Sequence, residues 1–332
     1  MDAPRGPCSV CGTLTPQFSY GVQCCNRCKM IFRRAINTKE PISSCTVDEC
    51  NEKCKALHFD KKCRKARFYT CISGNMRIGM STQHNDLSRI VAKLAGIDEE
   101  RTSILFQYQM VGDPSLDQVM SLFTVKLARK ATSTMFTAHD WVLIEIYATI
   151  EFMKRLDVAN LLTCVDLKLL VKNAYFKCSI YFIAARSYLE KSELMTFPDG
   201  HDVFPDEISR VPGFFPALLN KIRCLLISRF IELKGKKEEL LLLVAIIFCD
   251  PFTKDLSETA RNIVAQYQTI YIKALNNLCL CECKRTGPKR FAELILLSRV
   301  LTTTIEELDK AVTLFYMHQP NIPLRKLVKD SF

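Results

Sequence analysis

The sequence predicts a chain of two unlike parts: a small N-terminal module stabilised by bound metal, followed by a larger all-α domain. Ten of the seventeen cysteines fall at or before Cys71. Residues 1–80 hold 14 Lys and Arg against 6 Asp and Glu, a net charge of +8 within a chain total of +11. From residue 119 onward, apolar side chains recur at helical spacing. These observations divide the chain into a module at 5–80, a hinge at 81–118 and a helical domain at 119–332.

Length and composition exclude several classes of protein. With 332 residues, of which 48% are hydrophobic, the chain can bury a sizeable core in two domains. Its longest apolar run, "LLLLVAIIFC" at 240–249, suits a buried helix and is too short to span a bilayer. The first ten residues lack the apolar core of a secretory signal, so we expect a cytosolic or nuclear protein. In a reducing compartment, cysteines serve as metal ligands or buried apolar residues rather than disulfides.

The charge of the N-terminal module indicates its partner. A compact, strongly basic module favours a polyanion, with nucleic acid as the first expectation and an anionic membrane surface as the second. The remaining 252 residues carry 32 basic against 29 acidic side chains and give no such signal.

Four cysteines at the start of the module have the spacing of a zinc site. Cys8-x2-Cys11 is followed, thirteen residues later, by Cys25-x2-Cys28. Each pair offers two sulfurs from one tight turn, and Zn²⁺ prefers a tetrahedral set of four such ligands. Cys24 is a spare thiol, but Cys25 is favoured because it lies one helical turn before Cys28. The alternative, a chance grouping of buried thiols, accounts poorly for two such pairs.

The stretch "CCNRCKMIFRR" at 24–34 predicts a basic helix that begins at the second cysteine pair. Lys29 and Arg33 are four residues apart and share a face, while Phe32 and Ile36 turn inward beside Cys28. Long cationic side chains on a helix fixed by metal suit the major groove of DNA, where they reach guanine edges and phosphates. The alternative is an ordinary solvated basic face.

Together with "CRKARFYTCISGNM" at 63–76, this pattern resembles the DNA-binding domain of a nuclear hormone receptor, of the divergent supplementary type expanded in nematodes. The family has a helix of the form C-x-x-C-K-x-F-F-R-R and a second four-cysteine finger. The resemblance implies a small double zinc finger with two helices. The first zinc would be held by Cys8, Cys11, Cys25 and Cys28. The base-reading positions would be Asn26, Arg27, Lys29 and Met30. The DNA backbone would be contacted by Arg33 and Arg34.

The second finger departs from the family pattern, because Ala66 stands where the family has its fourth zinc ligand. The ligands that remain are Cys45, Cys50 and Cys63. The candidate substitutes are Cys54, His58 and Cys71. We favour Cys54, since the family position of Cys71 is a buried thiol. A site of three thiolates closed by water is the remaining alternative, and it would be more labile.

Beyond this module, apolar residues recur at helical spacing, weakly in the predicted hinge and strongly in the helical domain. Within the predicted hinge, helical spacing is faint around 86–94 and 99–110. In the helical domain one apolar stripe is made by Trp141, Ile144, Ala148, Phe152 and Leu156. A second stripe runs from Leu256 to Leu278, and Pro288 marks the start of a further helix. The stretch "FPDGHDVF" at 197–204 predicts a turn between short extended pieces.

The helical domain resembles the helical-sandwich ligand-binding domain of the same family. Lys154 and Lys172 fall where the family keeps the basic groups that clamp a coactivator helix. The end of the chain, "LRKLVKDSF", resembles the activation helix, which we expect at about 322–332 with Asp330 as the acidic half of the clamp. Such a pair would hold an amphipathic coregulator helix by its two ends. Ordinary solvated helix ends and a frayed tail are the alternatives.

The resemblance also implies an apolar ligand pocket among the helices. Six aromatic residues either line this pocket or fill it: Phe136, Trp141, Phe176, Phe182, Phe214 and Phe215. No feature of the sequence selects a ligand, so an orphan or ligand-independent receptor is the alternative.

The function expected from the sequence is that of a zinc-dependent, sequence-specific DNA-binding transcription factor in the nucleus. Its expected partners are double-stranded DNA, transcriptional coregulators, a small apolar ligand and a second receptor in a homodimer or heterodimer, with no membrane. An enzyme is not expected, because the chain lacks a phosphate-binding glycine loop, a nucleophile elbow and a histidine-based zinc catalytic pattern. The alternative is a receptor-like protein with a degenerate second finger that acts through protein–protein interaction.

Overall fold

The structure is a computed structural model, and it describes residues 6–37, 64–78, 87–121, 125–131, 135–204, 208, 216–282, 284–319 and 325–331. The chain divides into two compact units. The first comprises Met1–Ile90, Lys154–Leu170 and Cys249–Ala274, and the second comprises Val91–Met153, Val171–Phe248 and Leu275–Phe332. The units interleave along the chain, and the domain boundaries at 80 and 118 stay predictions.

Two short hairpins and two helices make up the described residues 6–37 and 64–78 of the first unit. In chain order they are β1 (Gly6–Pro7), β2 (Leu14–Thr15), β3 (Phe18–Ser19), β4 (Val22–Gln23), α1 (Asn26–Ile36) and α2 (Arg64–Ser73). Strand β1 pairs antiparallel with β2, and β3 pairs antiparallel with β4. The second hairpin turns at Tyr20 and Gly21, whose positive φ angles of 56° and 83° match the twist of a two-residue hairpin loop.

An aromatic core joins the two helices of this part. Phe32 of α1 and Phe68 of α2 are fully buried, and their stacked ring centroids lie 5.6 Å apart. The Tyr20 ring meets Phe32 edge-on at 4.8 Å. After α2, a Cβ atom added to Gly74 would come within 2.9 Å of the Ser9 carbonyl oxygen. The end of α2 therefore lies directly against the turn that carries the first cysteine pair.

The regular structure in the rest of the described chain is helical apart from one pair of strands and one bridge. In chain order the elements are α3 (Leu87–Gln107), β5 (Tyr108–Met110), α4 (Leu116–Met120), β6 (Leu127–Arg129), α5 (Ala138–Arg155), a 3-10 turn (Ala159–Leu161), α6 (Cys164–Leu189), α7 (Pro216–Leu233), α8 (Lys237–Phe248), α9 (Glu258–Glu282), α10 (Gly287–His318) and α11 (Lys326–Lys329). Strands β5 and β6 pair antiparallel. The bridge joins Thr196 and Asp202, which confirms the predicted turn there.

The apolar patterns of the helical part are confirmed as buried faces. Along α5, Trp141, Ile144, Ala148 and Phe152 are each at most 2% exposed. Helix α10 begins at Gly287 with a proline in its first turn, as the sequence predicts. None of the described helices combines the length and the apolar composition that crossing a bilayer requires.

The predicted hinge contains a longer helix than its weak periodicity suggests. Helix α3 runs unbroken for 21 residues, where the sequence indicates two short stretches. Its buried face carries Leu94, Ile97 and Leu105 together with Asp98 and Arg101. Two charged residues on the inner face interrupt the apolar pattern, and this is why periodicity alone underestimates the helix.

A buried network of charges in the second unit supports that inner face. The Arg101 guanidinium donates to the Asp98 carboxylate at 2.9 Å and to the Glu145 carboxylate of α5 at 3.0 Å. It also lies 4.0 Å from the ring centroid of Phe182 in α6. Burial raises the pKa of Glu145, and the positive charge of Arg101 opposes this rise. One guanidinium therefore ties α3 to both α5 and α6.

Replacing Arg101 with Met should lower the free energy of unfolding by about 3–5 kcal/mol, because the buried Glu145 carboxylate loses its charged partner. Urea unfolding followed by circular dichroism measures this loss. The matched control is Arg229→Met, whose ion pair with Glu232 lies on an exposed face of α7 and should contribute about 0–1 kcal/mol. Equal losses in the two variants would contradict the role of the buried network.

Candidate zinc centre, basic helix and apolar cavity

The four cysteines of the predicted first zinc site meet at one point in the first unit. The Sγ atoms of Cys8, Cys11, Cys25 and Cys28 all lie within 4.8 Å of one another, and those of Cys11 and Cys25 are 3.6 Å apart. A tetrahedron of zinc–sulfur bonds of about 2.3 Å places its sulfurs about 3.8 Å apart, so this tetrad fits a zinc ion. A closed set of four protein ligands is typical of a structural site, not a catalytic one.

Local backbone geometry presents each pair of thiols. The Gly12 N–H donates to the Cys8 carbonyl oxygen at 2.8 Å, and Gly12 has a φ of 72°, in the left-handed region that glycine tolerates. This closes the turn that holds Cys8 and Cys11. Cys25 has an extended backbone directly before α1, and Cys28 follows one turn later inside the helix. The start of α1 is thus itself part of the metal site.

Cys24 lies outside the tetrad. It is fully buried, and its thiol donates to the Ser19 carbonyl oxygen at 3.5 Å. The structure therefore groups Cys25, and not Cys24, with the other three thiols. Cys24 is a packing residue of the second hairpin.

The protonation of these thiols depends on their surroundings. Burial raises the pKa of Cys28 above the ordinary thiol value. Burial also raises the pKa of Cys11, but its hydrogen bonds with Thr13 and with the thiols of Cys8 and Cys25 together lower the pKa to about 7. Since zinc binds thiolates, metal binding at this tetrad releases protons.

Helix α1 separates a buried face from an exposed basic face. Cys28, Phe32, Ala35 and Ile36 are buried against the hairpins and α2. The predicted DNA-contacting residues lie outside this face: Asn26, Arg27, Met30, Arg33 and Arg34 are exposed, and Lys29 is half-buried. Every base-reading or backbone-contacting position predicted from the sequence therefore lies on the solvent-accessible side of one helix.

The charges in the last turn of α1 suit its dipole, while its first turn carries basic residues and no acid. Its first turn contains no acidic residue, while Arg33 and Arg34 lie in its last turn, near the negative end of the helix dipole. Four thiolates around one Zn²⁺ carry net negative charge, and they lie at the positive end. A bound zinc–thiolate group therefore supplies the charge that an acidic first turn normally provides.

The predicted second zinc site falls largely outside the described residues. The cysteines and the histidine that lie there are Cys45, Cys50, Cys54, Cys63 and His58. Two positions of this site are described. Ala66, which replaces the usual ligand, lies near the start of α2. Cys71, a candidate substitute, is buried with its thiol 4.0 Å from the Cys28 carbonyl oxygen. Burial raises the pKa of Cys71 to about 12. Cys71 is therefore placed as a core thiol between α1 and α2.

The predicted coregulator clamp falls on three elements. Lys154 lies in the last turn of α5, in the first unit. Lys172 is an exposed residue of α6, and Asp330 follows α11 directly; both belong to the second unit. The Asp330 carboxylate accepts a hydrogen bond from the Leu116 N–H at 2.8 Å. Sequence reasoning missed this contact, whose two residues are 214 positions apart.

An apolar cavity of about 130 Å³ lies within the second unit. Its polar lining includes Glu145 and Ser179, and α11 contributes Val328. Among the aromatic residues named from the sequence, Phe176 lines the cavity. Trp141 is instead buried under Lys130, whose ammonium lies 4.0 Å from its ring, and Phe214 and Phe215 lie outside the described residues.

Sequence reasoning missed most of the aromatic lining. Phe197, Phe204 and Phe315 line the cavity. The first two flank the turn at 197–204, and the third ends the apolar pattern of α10. Phe197 and Phe204 lie outside the helices and Phe315 belongs to α10, so no single periodic stripe connects them.

Comparisons with known proteins agree with both parts of the chain. A family model described as a double treble clef zinc finger of C4 type matches residues 6–82, and one described as the ligand-binding domain of nuclear hormone receptor matches residues 124–318. The chain is 34% identical to nuclear hormone receptor family member nhr-9 of Caenorhabditis elegans, over 97% of this chain and 95% of that protein. It is 33% identical to family member nhr-27 of the same organism, over 94% and 88%.

A solved structure is also similar. It is the ultraspiracle ligand-binding domain from Drosophila melanogaster. The match covers 74% of this chain and 97% of the ultraspiracle chain, with 18% identity and a TM-score of 0.49. The family models, the thiol tetrad and the helices together confirm the fold class predicted from the sequence: a zinc-finger module followed by an all-α ligand-binding domain.

Replacing Cys25 with Ala should remove one zinc ion from the protein, because it deletes one of the four thiolates of the tetrad. Native mass spectrometry of the intact chain measures the number of bound ions. Cys24→Ala is the matched control, since it removes the neighbouring buried thiol and should leave the zinc count unchanged. A lost zinc ion in Cys24→Ala with none lost in Cys25→Ala would reverse the assignment.

Proposed function

This chain belongs to the nuclear hormone receptor family, and from that premise we propose that it reads a specific DNA sequence through helix α1. Members of this family are transcription factors rather than enzymes, and the chain has both the C4 zinc finger and the ligand-binding domain of such a receptor. We further propose that it acts in the nucleus and recruits coregulators through its helical domain, as a homodimer or a heterodimer.

The observation that carries the DNA proposal is the exposed basic face of a helix that starts in a thiol tetrad. Phe32 and the tetrad fix the rotation of α1 about its axis, so the outer side chains project together. An α-helix fits the major groove, where Asn, Lys and Arg can form hydrogen bonds with base edges. Asn26, Arg27, Lys29 and Met30 are proposed to face the bases, and Arg33 and Arg34 the phosphates.

The coregulator proposal depends on Lys154, Lys172 and Asp330. Two lysines, Lys154 in the last turn of α5 and Lys172 within α6, can bind the carbonyl end of an amphipathic helix, and a carboxylate can bind its amide end. Lys172 is exposed at the surface of α6, where a partner can reach it.

An apolar ligand is proposed for the cavity, whose volume of about 130 Å³ is below the roughly 300–1,000 Å³ of ordinary ligand pockets. A small ligand, or none, agrees best with that volume.

A second candidate function is favoured by Ala66. Its methyl group cannot bind zinc, so the second finger lacks the ligand that the family places there. If no substitute ligand closes that site, the chain would act mainly through protein–protein interaction of its helical domain. The two experiments below separate these functions.

Lys29→Ala should weaken binding to a preferred DNA site by about 1–3 kcal/mol and relax the preference for one base, because a base contact is lost. Arg34→Ala should weaken binding to all sequences alike and reduce the slope of log K against log salt concentration by roughly one. Fluorescence anisotropy with selected DNA duplexes at several salt concentrations measures both effects.

The charge-matched control is Lys289→Ala, which removes a well-exposed lysine of α10. It should leave affinity and salt slope unchanged. If the wild-type chain shows no preference among DNA sequences, the DNA-reading function fails and the interaction function gains support.

The intact wild-type chain should bind two zinc ions, because Cys54 is proposed to replace the ligand lost at Ala66. Native mass spectrometry should then find one ion fewer in Cys54→Ala and two ions in Ala66→Cys. One zinc ion in wild type and two in Ala66→Cys would mean that the second finger is degenerate.

A further inference from the structure

Helix α11 is too short to be stable alone. It contains four residues, and the formation of a first helical turn is unfavourable without tertiary contacts. Nevertheless Leu327 is fully buried, and Val328 lines the apolar cavity. Groups outside the helix must therefore hold it in place.

The N-termini of α4 and α11 are each capped by a carboxylate from the segment that contains the other helix. The Lys326 N–H of α11 donates to the Asp113 carboxylate, at 3.0 Å to one oxygen and 3.3 Å to the other. In return, the Leu116 N–H of α4 donates to the Asp330 carboxylate at 2.8 Å. An acid at the first amide of a helix satisfies an unpaired donor and suits the helix dipole. The segment 113–116 and α11 thus cap each other.

A tyrosine of α6 holds the other end of α11. The Tyr175 hydroxyl donates to the Leu327 carbonyl oxygen at 2.7 Å, and its oxygen lies 2.9 Å from the Ser331 hydroxyl oxygen. Carbonyl groups in the last turn of a helix have no partner within the helix, so this donor satisfies one of them. Burial raises the pKa of Tyr175 to about 12, so the hydroxyl keeps its proton. At the start of α11, Arg325 also pairs with Asp140 of α5 at 3.1 Å.

We propose that these contacts form a terminal latch, made by Asp113, Leu116, Tyr175, Lys326, Leu327 and Asp330, that keeps α11 docked without the help of a ligand. Every contact of the latch joins two groups of the chain itself. The cavity beneath α11 is small, and Val328 and Arg325 form part of its wall. A bulky apolar ligand exceeds the volume of this cavity and has to displace part of its wall. We expect the short α11 to yield first, so that the ligand releases the helix instead of recruiting it. The consequence, a receptor whose resting state already binds coregulators, rests on the proposed function.

Amide hydrogen exchange of the full chain, read by mass spectrometry over residues 326–331, tests the latch. In wild type these amides should exchange at least about tenfold more slowly than in an unstructured peptide of the same sequence. Tyr175→Phe removes one hydroxyl and with it one of the two donors to the Leu327 carbonyl oxygen, the other being the Ser331 hydroxyl at 3.1 Å. Exchange should therefore become about 2- to 12-fold faster. Asp113→Ala should also accelerate exchange, by about 3- to 10-fold, because it removes a cap at the surface.

Tyr188→Phe is the matched control, since it removes a hydroxyl from the same helix about 20 Å further along and should leave exchange at 326–331 unchanged. Hexadecanoic acid serves as a bulky apolar probe, and it should leave exchange unchanged or make it faster. Slower exchange with this probe would mean that a ligand recruits α11, which would overturn the proposal. Unprotected amides in wild type, or equal exchange in Tyr175→Phe and Tyr188→Phe, would overturn it as well.

These outcomes are independent of the proposed function, because the exchange measurement contains no DNA. A chain that binds no specific DNA but shows the expected exchange would lose the DNA-reading function and keep the latch. A chain that reads DNA but exchanges equally in the two tyrosine variants would keep the function and lose the latch.

Discussion

Helix α1 begins where four thiols meet, and the orientation of its outer face depends on that meeting point. The flanking strands are only two residues long, and strands of that length cannot by themselves fix the direction of a helix. Cys25 and Cys28 attach the first turn to the tetrad, and Phe32 attaches the next turn to Phe68. With both points fixed, the helix cannot rotate about its axis. The basic side chains therefore share one direction because of packing and metal ligation on the opposite side.

The helical part of the chain obtains its order without such a metal cluster among its described residues. There, apolar stripes are supplemented by buried ions: Arg101 between Asp98 and Glu145, and Arg290 of α10 against the fully buried Glu239 of α8 at 2.6 Å. Buried ion pairs contribute little net stability compared with apolar packing, but each requires one partner at one position. Their effect here is to fix which helices meet, at a point where apolar side chains alone would permit several registers.

The features that could be predicted from sequence are those encoded within a few residues. Two Cys-x2-Cys pairs identified the tetrad, and i, i+3, i+4 spacing identified the buried face of α5 around Trp141. Helix α3 was underestimated because Asp98 and Arg101 occupy its inner face, and Glu145, the second acidic partner of Arg101, lies 44 residues away from it. The cavity lining was missed for the same reason, since Phe204 and Phe315 come from different elements. The spacing of residues along the chain reveals helical periodicity, whereas the Arg101 ion pairs and the cavity lining depend on which elements meet in the folded protein.

Asp330 has one observed tertiary contact in addition to the partner contact that we propose for it. Its family position suggests an acid that binds the amide end of a coregulator helix, whereas the structure shows it capping α4 through Leu116. A carboxylate has two oxygens and about four acceptor positions, and the Leu116 N–H occupies only one of them, on Oδ2. The cap therefore restrains the carboxylate and leaves acceptor capacity for a partner. A carboxylate held in place loses less conformational freedom on binding than a free one, so the cap on α4 would favour the clamping role that we propose for Asp330.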